Sequence, residues 1–424
     1  MREWSSRVES LHRRYAAKRP ASAALFERAA RVLPAGSTRS VLDLRPFPFR
    51  VVHADGARLT DADGFEYLDL LGDYTAGLAG HHPDTIATAL TATLQRGWNY
   101  GAMHSDEIRF AELLVDRFPA IEQLRFTNSG TEANLMAIQL ARHSTGRDRI
   151  LVFRGGYHGG LLYFGAGGEA LQAPFPYAFA DYNDLASAAT AFTVYDDIAA
   201  ILVEPMMGSG GCIPAEPGFL AGLRSLADAH GALLIFDEVM TSRMSSGGAQ
   251  LRLGVHPDLT ALGKYLAGGM TFGAFGGRAD LMAAFDPARG GTLTHGGTYN
   301  NNVLTMAGGV AALTEVITPV ALDAVFALGE SLRARVAQVV ADAPIPMCVT
   351  GWGSMMNLHT VAGPVHSPAD LAAADPAAKE VLFHELLDRG IYLAPRGLIA
   401  LSFAVTEADT DRFVTALADT VAAL

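Results

Sequence analysis

The 424-residue chain is half hydrophobic and only 18% charged, a globular composition long enough for two or three domain-sized cores. Its formal net charge of −12 argues against nucleic acid as the main partner, because phosphate binding needs basic clusters. No apolar run approaches the roughly 18 residues of a membrane-spanning helix, so no membrane partner is expected. Two cysteines, Cys212 and Cys348, cannot build a disulfide framework, which fits a reducing, cytoplasmic compartment.

The arginine-rich N-terminus carries Glu3 and Glu9 and lacks the apolar core of a signal peptide. Trp4, Val8, Leu11 and Tyr15 fall on one helical face, which predicts an amphipathic helix packed on the body or on a partner subunit. From about residue 120 short apolar runs alternate with helical patterns. "LRFTN", "RILVF", "AAILVEP", "ALLIFDEV" and "FGAFGGR" read as strands, and 131–143, 184–194 and 217–230 as helices. That alternation predicts an α/β fold, a mostly parallel sheet in a large domain over 71–309. Residues 1–70 and 310–424, with longer Ala/Leu-rich helices around weaker strands, are expected to form a smaller α+β domain.

Ligands of such a sheet bind outside the carboxyl ends of its strands. Three features fall there: "TNSGTEAN", "RGGYHGG" and the opening of "FDEVM". In the first, Gly130 lets backbone approach closely, and free N–H groups with the Thr131 hydroxyl can hold a phosphate. Ser129 with Glu132 is equally an ordinary capping box. In the second, Tyr157 stands among glycines, free either to stack on a flat ligand or to end a surface loop. In the third, Asp237 and Glu238 follow a buried strand, where a carboxylate is costly unless a partner satisfies it. His81 and His82 match no metal-ligand spacing and read as turn residues, so no metal is expected; "SSGGAQ", 245–250, reads as a mobile loop.

Of 32 basic Lys and Arg residues only three are Lys: Lys18, Lys264 and Lys379. Where Arg is the default cation, a Lys is incidental or needed for amine chemistry. Lys264 is the only charge between Asp258 and Arg278, inside a Gly-rich stretch. A phosphate cradle, a stacking aromatic, an acidic strand end and an isolated Lys are together what pyridoxal 5'-phosphate requires. Lys264 would form the Schiff base and move the proton, and Asp237 would keep the pyridine nitrogen charged.

These stretches, with "DADGFEYLDL", "VEPMMG", "LGKYLAGG" and "GGTYNNN", resemble the class III, fold-type I pyridoxal-phosphate aminotransferases and their glutamate-1-semialdehyde aminomutase relatives, from about residue 25 to the end. The resemblance implies an obligate homodimer with active sites at the subunit interface. It implies Ser129, Gly130 and Thr131 at the phosphate, Tyr157 against the ring, Val239 and Met240 beneath it, and Glu204 nearby. Thr298 would reach the phosphate of the other subunit. Met240 stands where many members carry Gln. A subgroup likeness, to bacterial β-phenylalanine aminotransferases, rests on "STRSVL", "DYTAGL", "GMTFGAFGGRAD" and "PRG". It implies that Arg39 holds the carboxylate of a β-amino acid and Arg396 that of a 2-oxo acid, with Val41 and Tyr74 lining the side-chain pocket. Arg45 is the rival to Arg39.

The expected activity is transfer of an amine from an aromatic β-amino acid to a 2-oxo acid such as 2-oxoglutarate or pyruvate. An aminomutase, moving an amine within one molecule, is the alternative. A non-catalytic cofactor-binding protein would be expected to have lost Lys264 or Asp237, and neither is lost.

Overall fold

Ile198–Val203 and Leu233–Asp237 are buried at every residue, which only a strand covered on both faces can be. They lie at the centre of a seven-stranded sheet in the computed structural model, which describes residues 2–424. In chain order its strands are β1 (Gln123–Thr127), β2 (Arg149–Phe153), β3 (Tyr177–Ala180), β4 (Ile198–Val203), β5 (Leu233–Asp237), β6 (Leu259–Gly263) and β7 (Gly273–Gly277). Their order across the sheet is β1-β7-β6-β5-β4-β2-β3. Only β7 runs against its neighbours, so the carboxyl ends of β1 to β6 all lie on one edge.

The expected α/β fold is therefore present, and so are the expected strands at β1, β2, β4, β5 and β7. β3 and β6 were not among them. "YAFA" and "LTALG" are short and rich in Ala and Gly, with little of the β-branched signal that marks a strand. Helix Gly130–Thr145 crosses the sheet on Ala133, Ala137, Ile138 and Ala141, packed with Ile150, Val152, Leu202 and Ile235. The small alanines let the helix lie close to the strands. Each of the large aliphatics contributes about 1.5–3 kcal/mol by burial.

The chain divides into two units: residues 84–327 with 365–370, which hold this sheet, and residues 1–83, 328–364 and 371–424. The expected divisions lay near 70 and 310; these fall at 83/84 and 327/328. The second unit carries two small sheets. Val51–Asp55, Arg58–Asp61 and Glu66–Asp69 are antiparallel, with Ile391–Tyr392 parallel to the last. Cys348–Trp352, Met355–His359 and Leu398–Ala400 form the other. The N-terminal pattern is realised as a helix, Arg2–Lys18, burying Leu11 and Tyr15. No single helix among the described residues is long and apolar enough to cross a membrane.

Candidate active site

Asp237, the last residue of β5, keeps its carboxylate almost wholly buried. Oδ2 accepts from Asn134 Nδ2 at 2.9 Å and lies 2.8 Å from His158 Nδ1. Oδ1 accepts the Val239 N–H at 3.0 Å. With two lone pairs per oxygen, Oδ2 is filled and Oδ1 keeps one acceptor position. A protonated pyridine nitrogen fits that position, since a cation offsets the cost of a buried carboxylate.

Glu238 answers the same strand end differently. It is fully buried and accepts from the backbone of Ala249 and Gln250 at 2.6 and 3.0 Å and from the Gln250 side chain at 3.0 Å. Burial pushes its carboxyl above the ordinary range, and these donors pull it back down. Residues 245–250, expected as a mobile loop, instead run into helix Gly248–Leu253 and hold this carboxylate. Their Gly/Ser composition hid a structural task.

At the end of β1, Ser129 caps helix Gly130–Thr145 by accepting the Glu132 N–H at 3.2 Å, and Glu132 accepts the Asn128 N–H at 2.8 Å. The capping reading thus holds for the Ser129 side chain, while Gly130 and Thr131 still open the helix. A Cβ on Gly130 would stand 2.6 Å from Val239 Cγ2, so no larger residue fits. Gly159 is tied down in the same way. Its φ is +114°, and a Cβ there would stand 2.0 Å from Thr131 Oγ1, so the "GGYHGG" loop closes onto the helix start. These two glycines let Val239 and the "GGYHGG" loop close against the helix start at Gly130 and Thr131.

Glu204, just past β4, accepts the Tyr157 N–H at 3.0 Å and the Gly208 N–H at 2.9 Å. Burial raises its carboxyl above the usual range, with His158 opposing and Asp237 adding to the shift. It fixes the loop backbone, leaving the Tyr157 ring 41% exposed beside Tyr163. Met240 reaches back to Gly208, where a Cβ would meet its sulfur at 2.1 Å.

Lys264 follows β6 directly, in register three residues beyond Ala261, the partner of Asp237. Its φ is +58°, left-handed for a residue with a side chain, which costs about 1–3 kcal/mol and marks an imposed position. A Cβ on Gly263 before it would meet Val239 at 3.3 Å and Gly130 at 3.4 Å. Thr131, Val239, Lys264 and Asp237 are so gathered at one sheet edge. Thr298 is exposed on a loop whose Asn300 accepts from Asn128 at 2.9 Å.

The other unit brings four expected residues together. Arg39 and Arg396 hold their guanidiniums 5.1 and 5.5 Å from the centre of one ring, Tyr74, whose hydroxyl donates to the Val41 carbonyl at 2.8 Å. Arg39 also pairs with Asp73 at 3.1 Å, both half exposed. Arg396 Nε is buried without a hydrogen-bond partner. Arg45, the rival, is mostly exposed, 3.9 Å from Asp43. Tyr74 sits in a left-handed turn: Gly72, Asp73, Tyr74 and Thr75 have φ of 53°, 45°, 51° and 78°, and Gly77 N–H closes it on the Gly72 carbonyl at 2.8 Å. His81, read as a turn residue, stands 2.8 Å from Asp69.

Asn134 and His158 were not assigned a role from sequence. Both lie inside the motifs singled out, "NSGTEAN" and "GGYHGG", and only their convergence on Asp237 shows their task.

Residues 42–421 match the family model described as aminotransferase class-III. A β-phenylalanine transaminase from Variovorax paradoxus is 50% identical over 96% of this chain and 94% of its own. A glutamate-1-semialdehyde 2,1-aminomutase from Sorangium cellulosum is 42% identical over 95% and 97%. The crystal structure of a β-phenylalanine aminotransferase from Variovorax paradoxus superposes with a TM-score of 0.97, at 49% identity over 99% of this chain and 98% of that one.

Proposed function

The chain belongs to the class-III aminotransferase family and is a pyridoxal-phosphate-dependent transaminase; on that premise we propose that its donor is an aromatic β-amino acid and its acceptor a 2-oxo acid, 2-oxoglutarate or pyruvate. The observation that carries the donor class is the pair Arg39 and Arg396 over one Tyr74 ring, with Arg396 Nε still lacking an acceptor. A β-amino acid holds its carboxylate one carbon farther from the amine than an α-amino acid does. Two separate guanidiniums let donor and acceptor carboxylates be gripped in turn, each by a bidentate pair. Arg39 takes the donor, Arg396 the acceptor, and Tyr74 with Val41 lines the pocket for the aromatic group.

When bound, pyridoxal phosphate supplies an electron sink for a carbanion. Asp237 would hold the pyridine nitrogen protonated through its remaining Oδ1 position. Ser129, Gly130 and Thr131 would hold the phosphate, Tyr157 would stack on the ring, and Val239 and Met240 would support it from the other side. Glu204 steadies the Tyr157 loop. Lys264 Nζ would anchor the cofactor and would move the proton of the donor carbon.

The working form in this reading is a cytoplasmic homodimer in which Thr298 reaches the phosphate held by the partner subunit. Supporting the dimer, Met103, Ile108 and Tyr299 are strongly exposed, and Met103, Ile108, Phe126 and Phe285 line a cavity of about 1040 Å³ that suits coverage by a second copy. Having only two cysteines, too few for a disulfide framework, supports the cytoplasm.

The test mixes protein with racemic 3-amino-3-phenylpropanoate without acceptor. The visible band of the bound cofactor should fall as the near-ultraviolet band of its aminated form rises, and 2-oxoglutarate or pyruvate should reverse both. A cofactor band indifferent to the β-amino acid rejects the donor class. Relatives named as aminomutases support a second reading, which return of the visible band without added oxo acid would favour.

A further inference from the structure

Far from these residues in sequence, helix Pro376–Asp388 carries Glu380 and His384 at i and i+4, hence on one face. His12 meets them from the N-terminal helix Arg2–Lys18, its Nε2 2.7 Å from Glu380 Oε1. The rings of His12 and His384 are 5.2 Å apart, edge to face. One ligand atom from each of the three residues lies within 4.8 Å of the others.

His384 distinguishes this cluster from an ordinary surface ion pair. It is 2% exposed, and its Nε2 is buried with no hydrogen-bond partner. Its other nitrogen is bonded to the Arg45 backbone carbonyl, which makes Nδ1 the N–H and Nε2 the nitrogen with a free lone pair. A buried imidazole oriented through Nδ1 by a backbone carbonyl, with Nε2 unspent, is how a histidine ligand is held ready for a metal. His12 and Glu380 have side chains 25% and 33% exposed, which gives an ion a way in and leaves room for water as a further ligand.

We propose that His12, Glu380 and His384 form a binding site for a divalent transition-metal ion of the zinc class, clamping the N-terminal helix to helix Pro376–Asp388. Two imidazoles and one carboxylate with an open fourth position match the borderline softness of Zn²⁺. Tetrahedral ligands about 2.0–2.1 Å from zinc stand about 3.3 Å apart, so binding exchanges the His12–Glu380 hydrogen bond for two metal bonds over a short movement. Without the ion the helix is held by Arg7–Glu385, Arg14–Glu385, Arg14–Asp388 and Lys18–Asp388. Such partly exposed ion pairs are individually weak. Of the charges around His384, Arg19 opposes a cation and Asp388 favours it. Arg19 is already turned to Asp61 and the Tyr67 hydroxyl.

The experiment uses untagged holoenzyme freed of metal by chelation, titrated with Zn²⁺ by calorimetry and with Co²⁺ by its visible ligand-field bands. Wild type should take up one ion per chain in tetrahedral form and melt at higher temperature when loaded. His12→Gln and Glu380→Gln, both partly exposed, should fold normally, bind at least about tenfold more weakly and lose the thermal response. His384→Gln should abolish the tetrahedral spectrum. No saturable uptake by wild type overturns the proposal. So does wild-type affinity in both His12→Gln and Glu380→Gln, which would put the ion on other residues.

Discussion

His158 Nδ1 lies 2.8 Å from Asp237 Oδ2, and both side chains are almost wholly buried. The imidazole and Asn134 occupy one carboxylate oxygen, so the other, which accepts the Val239 N–H, keeps one acceptor position with its orientation set in advance.

His158→Leu and Asn134→Leu should each weaken cofactor binding about 10–100-fold, since a hydrogen bond to a charged group is worth about 1.5–3 kcal/mol. Asp237→Asn should cost more in turnover, about 10²–10³-fold, by removing the charge that holds the pyridine nitrogen protonated. Cofactor titration followed by absorbance, with kcat measured at saturation, separates these effects. Wild-type cofactor affinity in both leucine variants would show that the pair does not orient Asp237.

Lys264→Ala should lower turnover by at least about 10⁴-fold, because it removes both the covalent anchor and the proton carrier. Borohydride reduction followed by intact-protein mass should show the cofactor's added mass on wild type and not on the variant. Persistent covalent addition would move the anchor to Lys18 or Lys379.

Asp73 competes with any donor carboxylate for Arg39, which it holds at 3.1 Å. Asp73→Asn keeps a residue tolerant of φ = 45° while removing the charge, and should lower the donor KM severalfold. Arg39→Ala should raise the donor KM and Arg396→Ala the acceptor KM, each about 10–100-fold, with the other substrate less affected. Equal effects of Arg396→Ala on both substrates would mean the two arginines do not divide the work.

Lys379 is partly buried, and desolvation, with Arg396 adding to it, lowers its amine from 10.5 to about 8. The folded state therefore holds this proton less tightly than the unfolded chain. Its contribution is fully present above about 10.5 and lost as pH falls through about 8, leaving a penalty at neutral pH. Lys379→Met should stabilise the protein at pH 7 by on the order of 1–3 kcal/mol, discounted for partial exposure. It should also flatten the rise in stability between about pH 8 and 10.5. Denaturant melts across that range test both, and an unchanged slope would reject the shift.

β4 and β5 were legible because their burial on both faces leaves near-continuous apolar runs, "AAILV" and "ALLIF". Lys264 and Asp237 stood out in the sequence because each breaks the local composition, and the fold brings both to one sheet edge. Asn134 looked like one more polar residue near a helix start, and His158 like loop filling. Their meaning lies in convergence on an atom roughly 80 to 100 residues away in the chain. Glu238 was ambiguous for the opposite reason: its partners come from "SSGGAQL", whose composition promises nothing buried.

Four successive residues wound left-handed, Gly72 to Thr75, oppose the handedness that L-residues prefer. Redesign of the donor pocket is therefore unequally permitted. If Val41 lines the donor pocket as proposed, its side chain can change to admit a larger or smaller aromatic group, since only its backbone carbonyl anchors the Tyr74 hydroxyl. The 72–75 stretch is closed to bulky or β-branched newcomers, and Thr75 already strains that limit at φ = 78°. New donor specificities should be sought in the side chains that hang over this turn and not in the turn itself.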